Sequence, residues 1–545
     1  MRRTEKTIGL AAAVAIMALA ACNPAPKYVK PTAASPVAYK ESAPEAFKEG
    51  KGWRVAQPGD DKIRPKWWEM YNDPQLNALE EKVPAGNQTL AASAANFRAA
   101  RALVVSARSA LFPTISTGGA YSNSRISGTR GARVIGPGGI GGNINGSGAY
   151  NDFSLPLDVS YTVDFWHRIR NTIAANAFSA QASAADVATA LLSIQSEVAQ
   201  DYFQVRGLDR QEAILQDTLE NYRGTLKLTQ TLFEAGIDSD QDVSQAQTQL
   251  DTASSQATDV GVARAQYEHA IATLIGEPPA EFSLAVSAFV PEPPAIPVGL
   301  PSVLLERRPD IAANERLVAA ANAQIGVAKA AYYPNVTLSA SAGLESSSFT
   351  QWFTWPSRFW SIGPTLSETI FDAGARRGQN EQAQANYDVA IANYRQTVLT
   401  AFQAVEDNLA ALRILAQEIE QQQTAIVSAA HYLDLALLRY RTGVDSYLNV
   451  INAQNSVLSS RETQVQSQLR EMTASVSLMV ALGGGWDPAQ LPKMNNLLGK
   501  QRNWEPGGAP IRNPPRRTAP ANPPEVPAAP LNLPSNTEPG APAQK

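Results

Sequence analysis

Two parts of the chain alternate apolar and polar residues at period two, and each is followed by a far longer stretch with helical periodicity. From Phe153 the odd positions read Phe153, Leu155, Leu157, Val159, Tyr161, Val163 and Phe165, while the even ones read Ser154, Pro156, Asp158, Ser160, Thr162 and Asp164. This pattern predicts a strand with one apolar and one polar face. Its length and terminal aromatics fit a strand between lipid and water, with a soluble sandwich strand as the competing reading. Weaker alternation follows Pro113 (Ile115, Thr117, Gly119, Tyr121), Pro334 (Val336, Leu338, Ala340, Ala342, Leu344) and Trp360 (Ile362, Pro364, Leu366, Ile370). Four strands, arranged as two hairpins, are expected.

Proline marks where long helices can run, because it breaks helix interiors. The chain has 37 prolines, yet none lies between Pro156 and Pro278 or between Pro364 and Pro488. From Val398 the small and apolar positions Val398, Phe402, Val405, Leu409, Leu412, Ala416, Ile419, Ile426, Ala430, Leu433, Leu437 and Tyr440 keep a 4-3 spacing, interrupted by Gln423. That spacing predicts a left-handed supercoil of packed helices. The span from Ala174 to Phe233 is similar but patchier. A helix of about 60 residues would be roughly 90 Å long, about three times a bilayer's hydrocarbon thickness, and must project into water.

The two halves are copies. Ala107 to Pro113 matches Ala328 to Pro334, Leu232 to Ser239 matches Arg439 to Ser446, and Leu274 to Gly276 matches Ala481 to Gly483. Offsets of 221 at the prolines and 207 at the glycines leave about 14 extra residues in the first hairpin, in the Gly-rich segment from Gly128 to Gly148. Its Gly136, Gly138 and Gly141 form a GxGxxG that lacks the following helix of a nucleotide site and reads as a surface loop. The second hairpin carries Phe349, Trp352, Phe353, Trp355, Phe359 and Trp360, which read as an aromatic rim at the outer membrane boundary, against a soluble core cluster.

Four strands cannot close a barrel, and an open sheet edge cannot face lipid. Two copies would give eight strands with a filled interior, whereas three give twelve and a passage. The expected fold is therefore a mixed α+β membrane protein built from two internal repeats. A trimeric twelve-stranded β-barrel, four strands per chain, continues into a long α-helical barrel, which the family resemblance given below implies is periplasmic.

Composition narrows function by exclusion. A single cysteine and three scattered histidines (His167, His269, His431) leave no multi-cysteine or histidine-based metal centre, and a net charge of −4 does not suggest a nucleic-acid binder. No cofactor, metal or catalytic residue is expected. Arg2 and Arg3, the apolar run Ile8 to Ala21 and the ending Leu19-Ala20-Ala21-Cys22 form an export signal whose end resembles the bacterial lipobox. Cys22 is then the expected lipid attachment point in outer-membrane lipid, and Asn23 after it favours the outer membrane. From about Gly499 the sequence is Pro-rich, with 12 prolines in the last 45 residues, and reads as a disordered tail. The expected organisation is signal peptide 1–21, N-terminal periplasmic segment and first helix 22–105, first repeat 106–290, second repeat 291–490 and tail 491–545.

At the two helix-turn-helix tips, Gly236 and Gly443 are placed to end one helix in a left-handed conformation, and Asp238 or Asp445 with the following serine to cap the next. Asp240 and Asp242 add negative charge at the first tip; Tyr447 and Asn449 replace them at the second.

Several motifs together resemble the lipoprotein, NodT-like branch of the TolC-type outer-membrane efflux channels. They are Glu306-Arg-Arg-Pro-Asp-Ile311, Gln324 to Pro334, Ile370-Phe-Asp-Ala-Gly-Ala-Arg376, Arg439-Tyr-Arg-Thr-Gly-Val-Asp445, Ala481-Leu-Gly-Gly-Gly-Trp486 and, near the N-terminus, Trp67 to Pro74. The resemblance implies a homotrimeric exit duct of a tripartite efflux system, with an inner-membrane transporter and a periplasmic adaptor as partners. It also implies a closed periplasmic tip at Tyr440 and the following turn, with a leucine and an aspartate one helical turn apart. Leu448 keeps the first position, but Asn452 stands at the second, so the seal there is expected to be apolar and hydrogen-bonded. A protein-secretion duct, a periplasmic coiled-coil lipoprotein and a surface enzyme are the alternatives; no Ser/His/Asp, HExxH or P-loop pattern supports the last.

Overall fold

The computed structural model describes residues 23–33, 35–36, 38–41, 66–125, 133–134, 142–143, 149–288, 292–294, 296 and 307–498. Cys22, most of the Gly-rich insertion and the Pro-rich tail from Gly499 lie outside the described residues.

Helices α1 (Pro74–Gly86) and α2 (Gln88–Ser109) lead into the first repeat. The strand segments β1 (Thr114–Thr117), β2 (Ala120–Arg125) and β3 (Ala149–Val163) follow, then α3 (Arg168–Glu234) and α4 (Asp240–Ile275). The second repeat comprises α5 (Pro309–Ala330), β4 (Asn335–Ser346), β5 (Arg358–Ser367), α6 (Ala375–Arg441) and α7 (Tyr447–Ala481). The duplication is visible in the lengths: α2 and α5 both have 22 residues, α3 and α6 both have 67, and α4 and α7 have 36 and 35. At about 1.5 Å per residue the longest helices reach roughly 100 Å.

The strands form one antiparallel sheet in which β3 pairs with β1 and β2 on one side and with β4 on the other, and β5 pairs with β4. The register brings the apolar residues onto one face. Ile115 lies opposite Val159, Val159 opposite Ala340 and Ala340 opposite Ile362; Val163, Val336 and Leu366 form a parallel row. The other face carries Ser116, Asp158, Ser341 and Ser361 in a row, with Asp152 and Glu345 further out.

The expected first strand is in fact two segments, split at Gly118-Gly119. The break lies opposite Pro156, since Thr117 pairs with Leu157 and Ala120 with Ser154. Proline in a central strand has no N–H to give the ladder, so the neighbouring strand opens there. Thr117 Oγ1 bonds the Pro156 carbonyl instead, at 2.8 Å. On the other side Gly343 allows close approach: a Cβ there would lie 2.3 Å from the Leu155 oxygen.

The expected α6 seam is buried near the sheet end, through Val398, Phe402, Val405, Leu409 and Leu412, but burial then moves to Leu415, leaving Ala416 exposed. At about 100° per residue Ala416 stays in line with Val398 and Leu415 lies about 100° from it, so the packed face of the helix turns there by about one position. Gln423 is exposed and accepts a 2.7 Å bond from Gln464 on α7.

The main core joins α1, α2 and the sheet-proximal parts of α3, α6 and α7, with Trp67, Tyr202 and Phe203 fully buried. At mid-height Asp209, wholly buried, accepts from Arg206 (2.9 Å), Arg264 (2.7 Å) and the Ser287 N–H (2.9 Å). Arg206 also bonds the Ala285 carbonyl and Gln75. Charges buried this way hold only while every partner is present, so the network fixes α1 and residues 284–287 to the helices.

A strap from Asn23 to Glu41 runs from the sheet end towards mid-height. Asn23 accepts from Asn171 near the start of α3 (3.1 Å), the Pro26 carbonyl from Asn322 (2.9 Å), and Glu41 pairs with Arg413 far along α6 (2.7 Å).

Candidate functional site at the helical tips

The ends of α3–α4 and α6–α7 farthest from the sheet form two adjacent turns. Gly236 and Gly443 have φ of 73° and 68°, the left-handed region that ends a helix most readily with glycine. After them the two turns diverge.

Of the expected caps, Asp238 or Asp445 with the following serine, only Ser239 acts; neither aspartate caps the helix that follows it. Ser239 caps α4 through the Asp242 N–H, and its hydroxyl also bonds the Asp242 carboxylate at 2.7 Å. Ser446 leads α7 without a side-chain cap. Asp238 instead accepts the hydroxyl proton of Tyr440 across the gap between the hairpins. Asp445 stays within its own turn, accepting from Asn449 (2.5 Å), the Ser446 N–H (3.0 Å) and Arg439 (3.1 Å). A carboxylate with a close side-chain partner satisfies itself there before it serves a helix end.

Tyr440 is buried, with Thr229 Oγ1 3.1 Å from its hydroxyl and the Tyr447 ring 5.4 Å from its own. Burial first, and then the hydrogen bond to Asp238, push its phenol well above the ordinary value. Burial likewise raises Tyr447 to about 12. Both rings belong to a small apolar cluster with Ala246, Ala436, Val450 and Ala453. One turn up, Gln454 donates to Thr225 (3.0 Å) and Gln249 to Asn455 (2.5 Å). The two hairpins are thus closed by an apolar plug ringed with polar links.

Leu448 and Asn452 lie on the opposite, exposed side of α7, away from the packed face of Tyr447, Val450 and Ala453. Asp240 is exposed at the start of α4. The structure therefore gathers Tyr440 with Asp238, and Asp445 with Asn449, but leaves Leu448, Asn452 and Asp240 pointing outward. Thr229 and Arg439 take part without having been singled out in the sequence. Thr225 and Thr229, four residues apart and both buried, were the available signal: a polar pair on one packed helix face.

At the other end, the sheet meets the helices at an aromatic junction. Trp166 stacks on Tyr333, with centroids 4.6 Å apart, and donates to the Pro334 carbonyl at 2.8 Å. Among the described residues no cluster of histidine, cysteine and carboxylates could hold a metal ion.

A sheet apolar on one face and polar on the other, set at the end of helices roughly 100 Å long that close at their far tips, defines the channel-tunnel class of outer-membrane proteins. The family model described as outer membrane efflux protein matches residues 80–277 and 300–484. The chain belongs to that family, and its role is that of an efflux channel in the outer membrane. It is 31% identical over 482 residues to the toluene efflux pump outer membrane protein TtgF of Pseudomonas putida, covering 88% of this chain and 98% of that protein. To the antibiotic efflux pump outer membrane protein ArpC of Pseudomonas putida it is 30% identical over 480 residues, covering 88% and 95%. Among solved structures it is similar to the outer-membrane channel OprN, with a TM-score of 0.74 and 29% identity, covering 86% of this chain and all of that one.

Proposed function

We propose that three copies of this chain form the passive exit duct of a tripartite pump, receiving small, largely apolar toxic molecules from an inner-membrane transporter through a periplasmic adaptor. The observation that carries this reading is the sheet itself. Among the described residues its outer strands, β1–β2 on one side and β5 on the other, each have an unpaired edge, and its apolar face is continuous from Ile115 to Leu366. An edge of this kind is excluded from lipid unless another copy pairs with it, and three copies are the smallest number that leaves a lumen. The relatives named for toluene and antibiotic efflux support the substrate class.

Cys22 is proposed to carry lipid. Asn23, the next residue, is held by Asn171 only a few residues past the end of β3, which supports an anchor at membrane height. The tips are proposed as the periplasmic gate, with Tyr440–Asp238 as its latch and Leu448 and Asn452 towards the threefold axis. No catalytic step is assigned to any residue.

Mass measurement in detergent tests the assembly: a particle of three chains is expected, and a stable monomer that keeps its full β content would overturn it. Deletion should sensitise cells to apolar toxicants, and crosslinking should recover an adaptor and a transporter. Radioactive palmitate should label the wild type and leave Cys22→Ser unlabelled.

A further inference from the structure

The connection between β4 and β5 folds to one side of the sheet. Its rings Phe349 and Trp352 stand 5.7 and 5.6 Å from Phe153, which stands 4.8 Å from Tyr121. Phe153 and Tyr121 pair directly and belong to the apolar face. Trp352 Nε1 donates to the Leu344 carbonyl at 3.3 Å, which holds the loop down against the end of β4. A lid over a channel mouth would lie on the polar side, with Asp152, Asp158 and Glu345. This loop is turned the other way.

Among the described residues of one protomer, the outermost part of the loop has little protein around it. Phe353 is 66% and Trp355 79% exposed, and the guanidinium of Arg358 lies over the Trp355 ring. Arg358 has no carboxylate within ion-pair distance among the described residues, and the strand carboxylates fall on the opposite face. Height adds a second constraint. Arg358 pairs with Leu344, which pairs with Leu155, eight residues along β3 from Val163 at the helix junction. Eight residues span roughly 27 Å, or about 20 Å along the barrel axis at a usual strand tilt, close to the apolar band of about 25 Å in such barrels. The arginine therefore lies near the outer edge of the apolar band, within a side chain's reach of the headgroups, and the rings packed on Phe153, two residues further out along β3, lie at the boundary itself.

We propose that this loop is a clasp for an outer-leaflet lipid bearing a phosphate. The rings of Phe349, Phe353 and Trp355 lie against the lipid at the boundary between acyl chains and headgroups, and Arg358, oriented by the indole against it, reaches the headgroup phosphate. A guanidinium stacked on an aromatic face keeps its edge N–H groups free for bidentate contact with phosphate oxygens. The inference rests on the reading that the apolar sheet face meets lipid.

The test uses the full chain in nanodiscs. Subtracting the spectra of Trp355→Phe and Trp360→Phe from wild type isolates two tryptophans, one in the loop and one near the start of β5 on the apolar face. Lipids with brominated acyl chains should quench both. Quenching of Trp360 but not Trp355, with Trp355 instead reached by aqueous acrylamide, would overturn the clasp alone; failure to quench either would overturn the lipid-facing sheet as well. Native mass spectrometry with lipid A, a phosphorylated glycolipid, is the second arm. Wild type should retain it several-fold better than Arg358→Ala, Arg358→Lys should lie between, and dephosphorylated lipid A should not distinguish them. Equal retention of lipid A by wild type and Arg358→Ala, with unchanged circular dichroism, would refute the phosphate contact.

Discussion

Tyr440 on α6 donates a hydrogen bond to Asp238 in the turn between α3 and α4, joining the tips of the two repeats below the Gln454–Thr225 and Gln249–Asn455 links. Its acceptor is a carboxylate, and the donor ring is buried against Tyr447. In the proposed gate, opening the tip breaks this bond and exposes the ring.

Tyr440→Phe removes the donor and keeps the ring. Hydrogen bonds to charged groups contribute about 1.5–3 kcal/mol, so the closed tip should lose stability of that order and single-channel conductance should rise. Because burial and Asp238 raise the phenol's pKa, the bond's contribution is fully present below the ordinary tyrosine value and is lost only as pH climbs through the raised one. Wild-type conductance should therefore show no tyrosine-linked increase across neutral pH. An unchanged conductance in Tyr440→Phe would remove the latch.

Asn452→Asp probes the exposed side of α7. If Asn452 faces the threefold axis, three carboxylates at separations of about 6 Å would repel by roughly 3 kcal/mol per pair at an effective dielectric near 20. Conductance should rise at neutral pH and fall back on acidification, whereas Leu448→Ala should raise it independently of pH. Both side chains are exposed in the protomer, so neither change should alter its melting. No response from either variant would move the constriction to Asp238, Asp240 and Asp242.

Glu80 on α1 is wholly buried, neither carboxylate oxygen has a hydrogen-bond partner among the described residues, and burial pushes its pKa well above the usual range. A group raised in the fold gives stability that is complete below its unfolded pKa and is lost as pH rises towards the folded value. Glu80→Gln should match wild type near pH 4 and melt higher at pH 8. Equal melting at both values would show that the carboxyl is solvated.

Gly343→Ala should separate β3 from β4, because the added Cβ would lie 2.3 Å from the Leu155 oxygen and 2.8 Å from the Pro156 Cα. Overpacking of this kind costs about 1–3 kcal/mol. The temperature at which heat-modifiable gel mobility is lost should fall, while Gly363→Ala, with nothing within 4 Å, should behave as wild type.

The long elements were legible because each is written in one dominant signal. Period-two alternation marks β3, and the absence of proline marks α3 and α6. Length made these signals robust, since a one-residue error hardly changes the face of a 67-residue helix. The tips were less legible. Ser239 and Asp238 are both competent caps, and only the position of Tyr440, 202 residues away, decides which one is left to bond across the hairpins. The split of the first strand likewise depends on Pro156 in a neighbouring strand. Pairing of distant segments is where local pattern stops being informative.

The ladder between β3 and β4 joins the first repeat to the second through eleven residue pairs, from Phe153–Ser346 to Val163–Val336. In a half-length ancestor with a single repeat, those strands would have belonged to different molecules, and a twelve-stranded ring would have needed six of them to meet. Fusing the repeats places β3 and β4 at a high effective concentration regardless of how dilute the protein is. In the proposed trimer, half of the ring's junctions between repeats then form within the folding chains, leaving three to be made by collision. The duplication would thus replace half of the encounters between repeats by pairing within a chain.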